Sequence, residues 1–344
     1  MMDKKSVKKI GVIMFGLFGD VLMRTPLLKA LKEIFPEAQL VAICDANMTP
    51  LLVNNPNIEK IIAFQRTAKN PIKKNYYKLQ GIYKVKKERF HLLVDLYNGG
   101  SSPLISLLSG AKYRLGYAHQ KDSHVYNLQS DFVPYSQNKL EPFNYQLLEL
   151  LRPISDKKFP MKPIFQLSKE IESSMQSYLD EVLVKQCYVL NLGSNGSEKL
   201  LAYEKYAAVV KYLYEVYGFT PLIVRNPSQE YFQEELIQKH LLSQNLPFVK
   251  LKTLSIDEIA YVIKAGSFLI TPDTGLMHLG LALDSYLYAI FTYTNPSLVD
   301  IGDEKFVAVY ESFSPKELYR KQEISTEILL QKVDELLQRV NNAK

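Results

Sequence analysis

Two cysteines, Cys44 and Cys187, are all that this 344-residue chain contains. They lie far apart, each in an apolar run, and read as buried thiols. Two are too few for a disulfide scaffold or a zinc site, which suits a reducing compartment. No window approaches the ~20 apolar residues of a membrane span. No set of Asp, His or Cys has metal-ligand spacing. No Asp-x-Asp pair is present to carry a metal-bound diphosphate, so neither a metal nor a cofactor is expected. The Gly-x-Ser-x-Gly nucleophile elbow is missing. Also missing is Gly-x-Gly-x-x-Gly after the first strand, where the chain has Gly16-Leu17-Phe18-Gly19. That argues against a nicotinamide-dependent oxidoreductase. No repeat recurs at a ~20–50-residue period.

What is present is enough apolar residue, 47%, to bury full cores, and a length that calls for two domains. Lys4, Lys5, Lys8 and Lys9 before the apolar run 10–18 mimic a signal peptide. Asp20 and Arg24 interrupt that run and no small-residue cleavage site follows, so a first buried strand explains it better. The expected location is cytoplasmic, either free or peripheral on the inner membrane. The net charge of +6 is unevenly spread. Arg66, Lys69, Lys73, Lys74, Lys78, Lys84, Lys86, Lys87 and Arg89 face only Glu88, with Tyr76, Tyr77 and Tyr83 between them. Three readings stand: a solvated helix face, a surface for anionic lipid or a lipid-linked substrate, and nucleic acid. No nucleic-acid motif accompanies the stretch, so no nucleic-acid partner is expected.

Strand and helix patterns alternate along the chain. Strands are expected at 10–15, 40–44, 60–64, 92–96 and 113–115, then at 188–192, 221–224, 248–251, 268–271 and 287–291. Helices are expected at 21–34, 49–54, 76–88 and 103–108, then at 168–184, 204–217, 229–242, 255–264 and 275–283. Residues 116–163 are rich in Tyr, Asn, Ser and Pro, and only 144–151 looks helical there. Alternation of this kind implies α/β units with parallel sheets. The domain boundary is expected near Pro160, giving 1–160 and 161–325, with a last helix in 326–344.

Three junctions carry chemistry. The run Leu269-Ile270-Thr271-Pro272-Asp273-Thr274-Gly275-Leu276-Met277-His278 is a strand, a tight loop and a helix start. Such a start points free N–H groups at whatever lies above the sheet, a place for anionic groups. His278 can equally be a buried histidine. The run Ile10 to Pro26 is a strand, a loop with Gly16 and Gly19, then Asp20 ahead of a helix. Asp20 can be a helix N-cap or a carboxylate positioned to take a proton. The run 191–199 follows a strand with Gly193, Ser194, Asn195, Gly196, Ser197 and Lys199. It reads as a diphosphate cradle or as a surface loop; the spacing is not that of a Walker motif. Glu230, after the 221–224 strand and the turn 225–228, can meet ribose hydroxyls or simply open a helix.

Two of these runs, Gly-Asp-Val-Leu-x-x-Thr-Pro from Gly19 and Asp-Thr-Gly-Leu-Met-His from Asp273, resemble the hallmarks of glycosyltransferase family 9, the ADP-heptose heptosyltransferases of lipopolysaccharide synthesis. The resemblance implies the GT-B architecture: two Rossmann-like domains with parallel sheets facing a central cleft, and a last helix crossing back onto the first domain. It implies an inverting transfer of heptose from ADP-heptose to an inner-core sugar of an anionic glycolipid at the inner membrane. Asp20 takes the role of general base. Ser194, Ser197, Lys199, Thr274, Gly275, Leu276, Met277 and His278 fall at the donor diphosphate, and Glu230, Leu254 and Asp273 at its sugar or nucleoside. Leu254 would pack on the base, though it reads equally as a core leucine. Gly19, Thr25 and Arg114 fall at the acceptor; Arg114 can also simply pair a carboxylate. The chain departs from the family pattern at Leu201 and Ala202 (Trp and Pro there), at Arg225 and Asn226 (a glycine pair) and at Thr292 (Gly). It also departs at Asp284-Ser285-Tyr286 (Gly-Lys-Pro), expected near the floor of the donor pocket. A related transferase using another nucleotide-sugar, or a silent nucleotide-sugar-binding protein, are the alternatives.

Overall fold

The computed structural model describes residues 2–66, 70–133, 140–182, 186–194, 196–225 and 230–342. Lys69 of the basic stretch, Asn195 of the 191–199 loop and the turn 226–228 lie outside them. The chain divides into two compact units, one up to residue 166 and one from 167 onward, with Leu140 belonging to the second. The division thus falls six residues beyond Pro160.

The first unit is a parallel sheet of β1 (Lys9–Ile13), β2 (Gln39–Asp45), β3 (Lys60–Phe64), β4 (Leu92–Asp95), β5 (Tyr113–Tyr117) and β6 (Leu128–Ser130), in the order β3-β2-β1-β4-β5-β6. Its helices are α1 (Phe18–Met23), α2 (Thr25–Ile34), α3 (Pro71–Lys87), α4 (Ser102–Leu108) and α5 (Phe143–Leu148). β1 and β4 are buried almost end to end. That is why both read as unbroken apolar runs rather than alternating ones. β6 lies in the polar stretch where no strand was expected: three residues, of which only Ser130 is buried, leave no periodic signal.

The helix expected over 21–34 is two helices, α1 and α2, meeting at Arg24. Pro26 has no N–H and its ring would crowd the carbonyl of Leu22. That carbonyl instead accepts from the Thr25 hydroxyl at 2.6 Å. Beyond the break, Leu27, Leu28, Ala30 and Leu31 are buried, and α2 stops at Phe35, before Pro36.

The second unit repeats the plan. Its strands are β7 (Cys187–Leu190), β8 (Thr220–Ile223), β9 (Val249–Lys250), β10 (Leu269–Pro272), β11 (Leu287–Ile290) and β12 (Phe306–Val309), in the order β12-β11-β10-β7-β8-β9, all parallel. Its helices are α6 (Lys169–Val182), α7 (Tyr203–Tyr217), α8 (Glu230–Leu236), α9 (Ile256–Ala265), α10 (Gly275–Ala282) and α11 (Thr326–Asn342). α10 closes onto the sheet because Gly280 has no side chain: a Cβ there would come within 2.5 Å of Leu287. Cys44 and Cys187 are both buried and free, and burial pushes the Cys44 thiol up to about 12.

The last helix does not follow the expectation drawn from the resemblance. α11 belongs to the second unit and packs on α7, β11 and β12. Leu329, Val333, Leu336, Leu337 and Val340 recur at helical spacing and enter that unit's core. The Tyr288 hydroxyl donates to Leu329 O at 2.7 Å, and the Tyr212 and Tyr217 hydroxyls donate to Asp334 at 2.9 and 2.8 Å.

Candidate functional site

In each sheet the first strand sits in the middle and the chain then winds outward in both directions. The loops that leave the two central strands therefore diverge and open a crevice at the carboxyl edge of the sheet, where ligands of such folds bind. In the first unit these are the loops after β1 and β4; in the second, those after β7 and β10.

After β1, Met14 N still donates to Ile43 O at 2.8 Å, and Phe15 is fully buried. Gly16 then turns the chain at φ +150°. No other residue fits, since a Cβ would come within 2.6 Å of Arg24 Nη1 and 2.9 Å of Asp20 Cβ. Asp20 is the third residue of α1, not its N-cap. Its Oδ2 accepts from Leu17 N at 3.0 Å and so fastens the helix start from within. Gly19 is half-buried in the same turn. Asp20 lines a cleft of about 960 Å³ with Gly16 and Leu17, Asp45 at the end of β2, Arg66 after β3, Tyr97 after β4, and Lys74 and Lys78 of α3. Arg66 grips Asp45 with both Nε and Nη2, the latter at 2.8 Å, and its guanidinium lies 4.3 Å from the Phe15 ring centre.

Beneath this cleft are two charged groups that sequence reasoning passed over. Arg24 is 5% exposed and its Nη1 donates to Phe15 O. Burial lowers its pKa, and the charges of Asp20 and Asp95 pull it back up. Asp95 is fully buried at the end of β4. Its Oδ1 accepts from Tyr97 N at 3.1 Å and Asn98 N at 2.8 Å; its Oδ2 accepts from the Tyr126 hydroxyl at 2.7 Å and Ser106 Oγ at 3.3 Å. Burial pushes its carboxyl up, against the pull of those donors. The signal was there: an acid ending the all-apolar strand Leu92-Leu93-Val94-Asp95, and an arginine between the buried Leu22 and Leu27.

Two expected acceptor residues lie elsewhere. Thr25 is 0% exposed, and its hydroxyl is spent on Leu22 O and, as acceptor, on Ile164 N at 2.7 Å. Arg114 stands beside Leu93 near the start of β5, and its Nε and Nη1 donate to Val125 O at 2.8 Å and Ala111 O at 2.9 Å. Both carbonyls precede their strands, so Arg114 ties the sheet edge opposite the Asp20 cleft. Among the described residues it meets neither a carboxylate nor the lining of the Asp20 cleft.

In the second unit the loops after β7 and β10 are laced by Asn191. Its Nδ2 donates to Thr271 Oγ1 at 2.9 Å and Thr274 Oγ1 at 3.2 Å, while its Oδ1 accepts from Gly193 N at 3.0 Å. Ser194 is buried; Ser197 is exposed and begins a single 3-10 turn ending at Lys199. Lys199 Nζ reaches across to Asp273 Oδ2 at 2.6 Å. The residue expected at the diphosphate and the one expected at the sugar are thus an ion pair. Thr274 is the N-cap of α10 in extended conformation, with no side-chain bond to the helix. Gly275 and Leu276 are half-exposed in the first turn, where helix N–H groups have no partner within the helix. Met277 and His278, the third and fourth residues of α10, are buried.

The outer donor residues fit less uniformly. Glu230 opens α8 and is paired with Arg225 at 2.9 Å, so its carboxylate is shared before any ribose arrives. Leu254 is half-buried in the loop between β9 and α9 and is not a core leucine. Thr292 donates to Glu198 O at 2.8 Å and so holds the 3-10 turn of Lys199. Asp284, Ser285 and Tyr286 were expected at the pocket floor. They precede β11, at the sheet edge away from these loops, with Asp284 at φ +61° and paired to Lys305 at 2.6 Å.

A carboxylate above one parallel sheet and an ammonium beside a helix start above another suit group transfer from an anionic donor. The matching family model, glycosyltransferase family 9 (heptosyltransferase), spans residues 80–327, well over half the chain, and the protein belongs to that family. It is 21% identical over 295 residues to lipopolysaccharide heptosyltransferase 1 of Campylobacter coli, covering 83% of this chain and 84% of that one. The fold matches E. coli ADP-heptose lps heptosyltransferase II with a TM-score of 0.77 at 19% identity, over 96% of this chain and 99% of that one. It also matches the E. coli heptosyltransferase WaaC with ADP-2-deoxy-2-fluoro heptose, with a TM-score of 0.69 at 16% identity, over 95% and 99%.

Proposed function

We propose that the chain transfers a heptose from ADP-heptose to an inner-core sugar of lipopolysaccharide or lipooligosaccharide, with inversion at the anomeric carbon. The observation that carries this is the meeting of Lys199 with Asp273, and of Asn191 with Thr274, at the start of α10 in the crevice of the second sheet. The acceptor oxygen forms its bond to the anomeric carbon as the bond to the diphosphate breaks. Asp20 takes the hydroxyl proton, a task for which position matters more than an unusual resting pKa. The departing nucleoside diphosphate gathers charge. Lys199 and the N–H groups of Gly275 and Leu276 stabilise it there, worth most where water is excluded. The Lys199–Asp273 pair holds the ammonium in place before the donor enters. The acceptor is an anionic glycolipid, and Lys74 and Lys78 beside Asp20 suit its charge. The protein works peripherally at the cytoplasmic face of the inner membrane; no helix among the described residues is long and apolar enough to cross a bilayer.

The test is a panel of nucleotide-sugars scored by the rise in melting temperature and then by transfer to a lipid-linked core acceptor. A ligand at a hundred times its Kd adds ~2.7 kcal/mol. ADP-heptose should give the largest shift and be consumed. A larger shift with a UDP- or GDP-sugar that is also transferred would overturn the donor assignment.

A further inference from the structure

Helix α3 is anchored over only part of its length. Gly81, Ile82 and Val85 are buried, and Gly81 lies so close to the Phe64 ring that a Cβ would come within 2.4 Å of it. Residues 71–76 are exposed throughout. They are helical nonetheless, because Asn70 Oδ1 accepts from Ile72 N at 2.8 Å and Lys73 N at 3.3 Å, and Pro71 presets the first turn.

On this helix Ile72, Tyr76, Leu79 and Tyr83 are 79%, 60%, 66% and 66% exposed. Their spacing puts them in one line on the face opposite Gly81, Ile82 and Val85. Single exposed apolar residues are ordinary; four in a row along one helix mark a surface that meets something. Lysines border the line, Lys86 on one flank and Lys73, Lys84 and Lys87 on the other. Among the described residues none of these four is within ion-pair distance of a carboxylate. Glu88, the acid of the stretch, is held by Lys9 and Lys60. Lys74 and Lys78 turn to the other side, into the Asp20 cleft.

We propose that α3 lies flat on an anionic bilayer surface, with Ile72, Tyr76, Leu79 and Tyr83 at the headgroup–acyl boundary and the flanking lysines among the anionic headgroups. A basic helix with an apolar, tyrosine-bearing face has the chemistry of that layer: rings and aliphatic chains below, hydroxyls and ammonium groups above. One helix then meets lipid on one face and lines the cleft of Asp20 on the other, so a lipid-linked substrate reaches the base without leaving the surface. That last step rests on the proposed function; the docking of α3 does not.

The chain has no tryptophan, so one introduced indole reports alone. Tyr76→Trp protein is titrated with vesicles of phosphatidylglycerol and phosphatidylcholine free of any glycolipid. Its emission should shift to the blue and be quenched by brominated lipid. Ile72→Ser with Leu79→Ser, every lysine kept, should lower partitioning about tenfold or more. What binding remains should vanish at high salt, where the unaltered protein keeps a fraction bound. Unchanged melting by nucleoside diphosphate certifies the fold. The proposal falls if the indole emission of the Tyr76→Trp protein does not move on vesicles, or if the double variant partitions like wild type. It falls equally if lipid-free protein dimerises in the ultracentrifuge and the double variant does not, which would assign the face to a second copy of the chain. Vesicle docking without heptosyl transfer would sink the proposed function and leave this inference standing.

Discussion

In the first unit the loop leaving the central strand carries a carboxylate, with a guanidinium and a second carboxylate buried beneath it. In the second unit the corresponding loop carries an ammonium, laced to its neighbour by neutral Asn and Thr side chains. The strand order is the same in both. Topology places a crevice above the middle of each sheet, and a few loop residues then set its charge. The first crevice has charged walls and two further charged residues underneath: Arg24 and Asp95 are 5% and 0% exposed. The second keeps its lysine at the rim, Lys199 being 30% exposed, over a buried Asp273. A buried ionic base suits a group that must stay in one place. A rim lysine suits one that must release a product.

The contrast breaks most sharply at Asp20. Asp20→Asn keeps the bond from Leu17 N and so should keep the fold. Turnover should fall by about 10²–10⁴-fold, while binding of nucleoside diphosphate to the second unit stays as it was. Stopped single-turnover assays and calorimetry check both halves. Turnover near wild type would end the role of Asp20 as base.

Arg24 comes next. Arg24→Lys keeps a cation but loses the fork that reaches Phe15 O, and a lysine does not reproduce that planar geometry. The Gly16–Asp20 loop should then settle slightly displaced. Misplacing a reacting group by ~1 Å can cost ~10²-fold, so kcat should drop by about 10–10²-fold with donor affinity unchanged. An equal loss of nucleoside diphosphate affinity would show that the substitution had only loosened the protein.

For the second unit the matching change is Lys199→Ala. A charge-assisted contact contributes roughly 1.5–3 kcal/mol. Affinity for donor and for nucleoside diphosphate should therefore fall together by about tenfold or more, measured by calorimetry. A loss confined to kcat would mean that Lys199 acts only on the transition state; no loss at all would make the 193–199 loop a surface turn.

How far these features can be read from the sequence follows from their range. The strands β1, β7 and β10 and the junctions after them were legible, because a fully buried strand is a continuous apolar run and its loop is marked by Gly, Pro and Thr. The split of α1 from α2 was legible only through Pro26, and there the helical periodicity on both sides hid it. β6 was illegible, being short and mostly solvent-facing. The Lys199–Asp273 pair joins residues 74 apart in sequence, and each was read for its own loop. Arg24 and Asp95 were visible as charges inside apolar runs. What they hold was not, since Phe15 O and the Tyr97–Asn98 turn are set by strand pairing. α11 shows the opposite failure: its buried spacing was plain, but spacing does not say which sheet it covers.

The smallest effects are expected at the two residues that resemblance placed at the acceptor and the fold places elsewhere. Thr25→Val removes a hydroxyl that donates to Leu22 O and leaves Ile164 N without its acceptor. A buried donor left unpaired costs about 1–3 kcal/mol. Arg114→Gln releases the carbonyls of Val125 and Ala111, which are part-buried and can find water, so its cost should lie at or below the same range. Both variants should unfold at lower urea and show the acceptor KM of the wild type. The pair is a control for the whole comparison. Asp20 and Thr25 are five residues apart in one motif, and only the side chain that lines the crevice should touch chemistry. A raised acceptor KM for Thr25→Val, with stability intact, would mean that the buried side of the motif reads the acceptor after all.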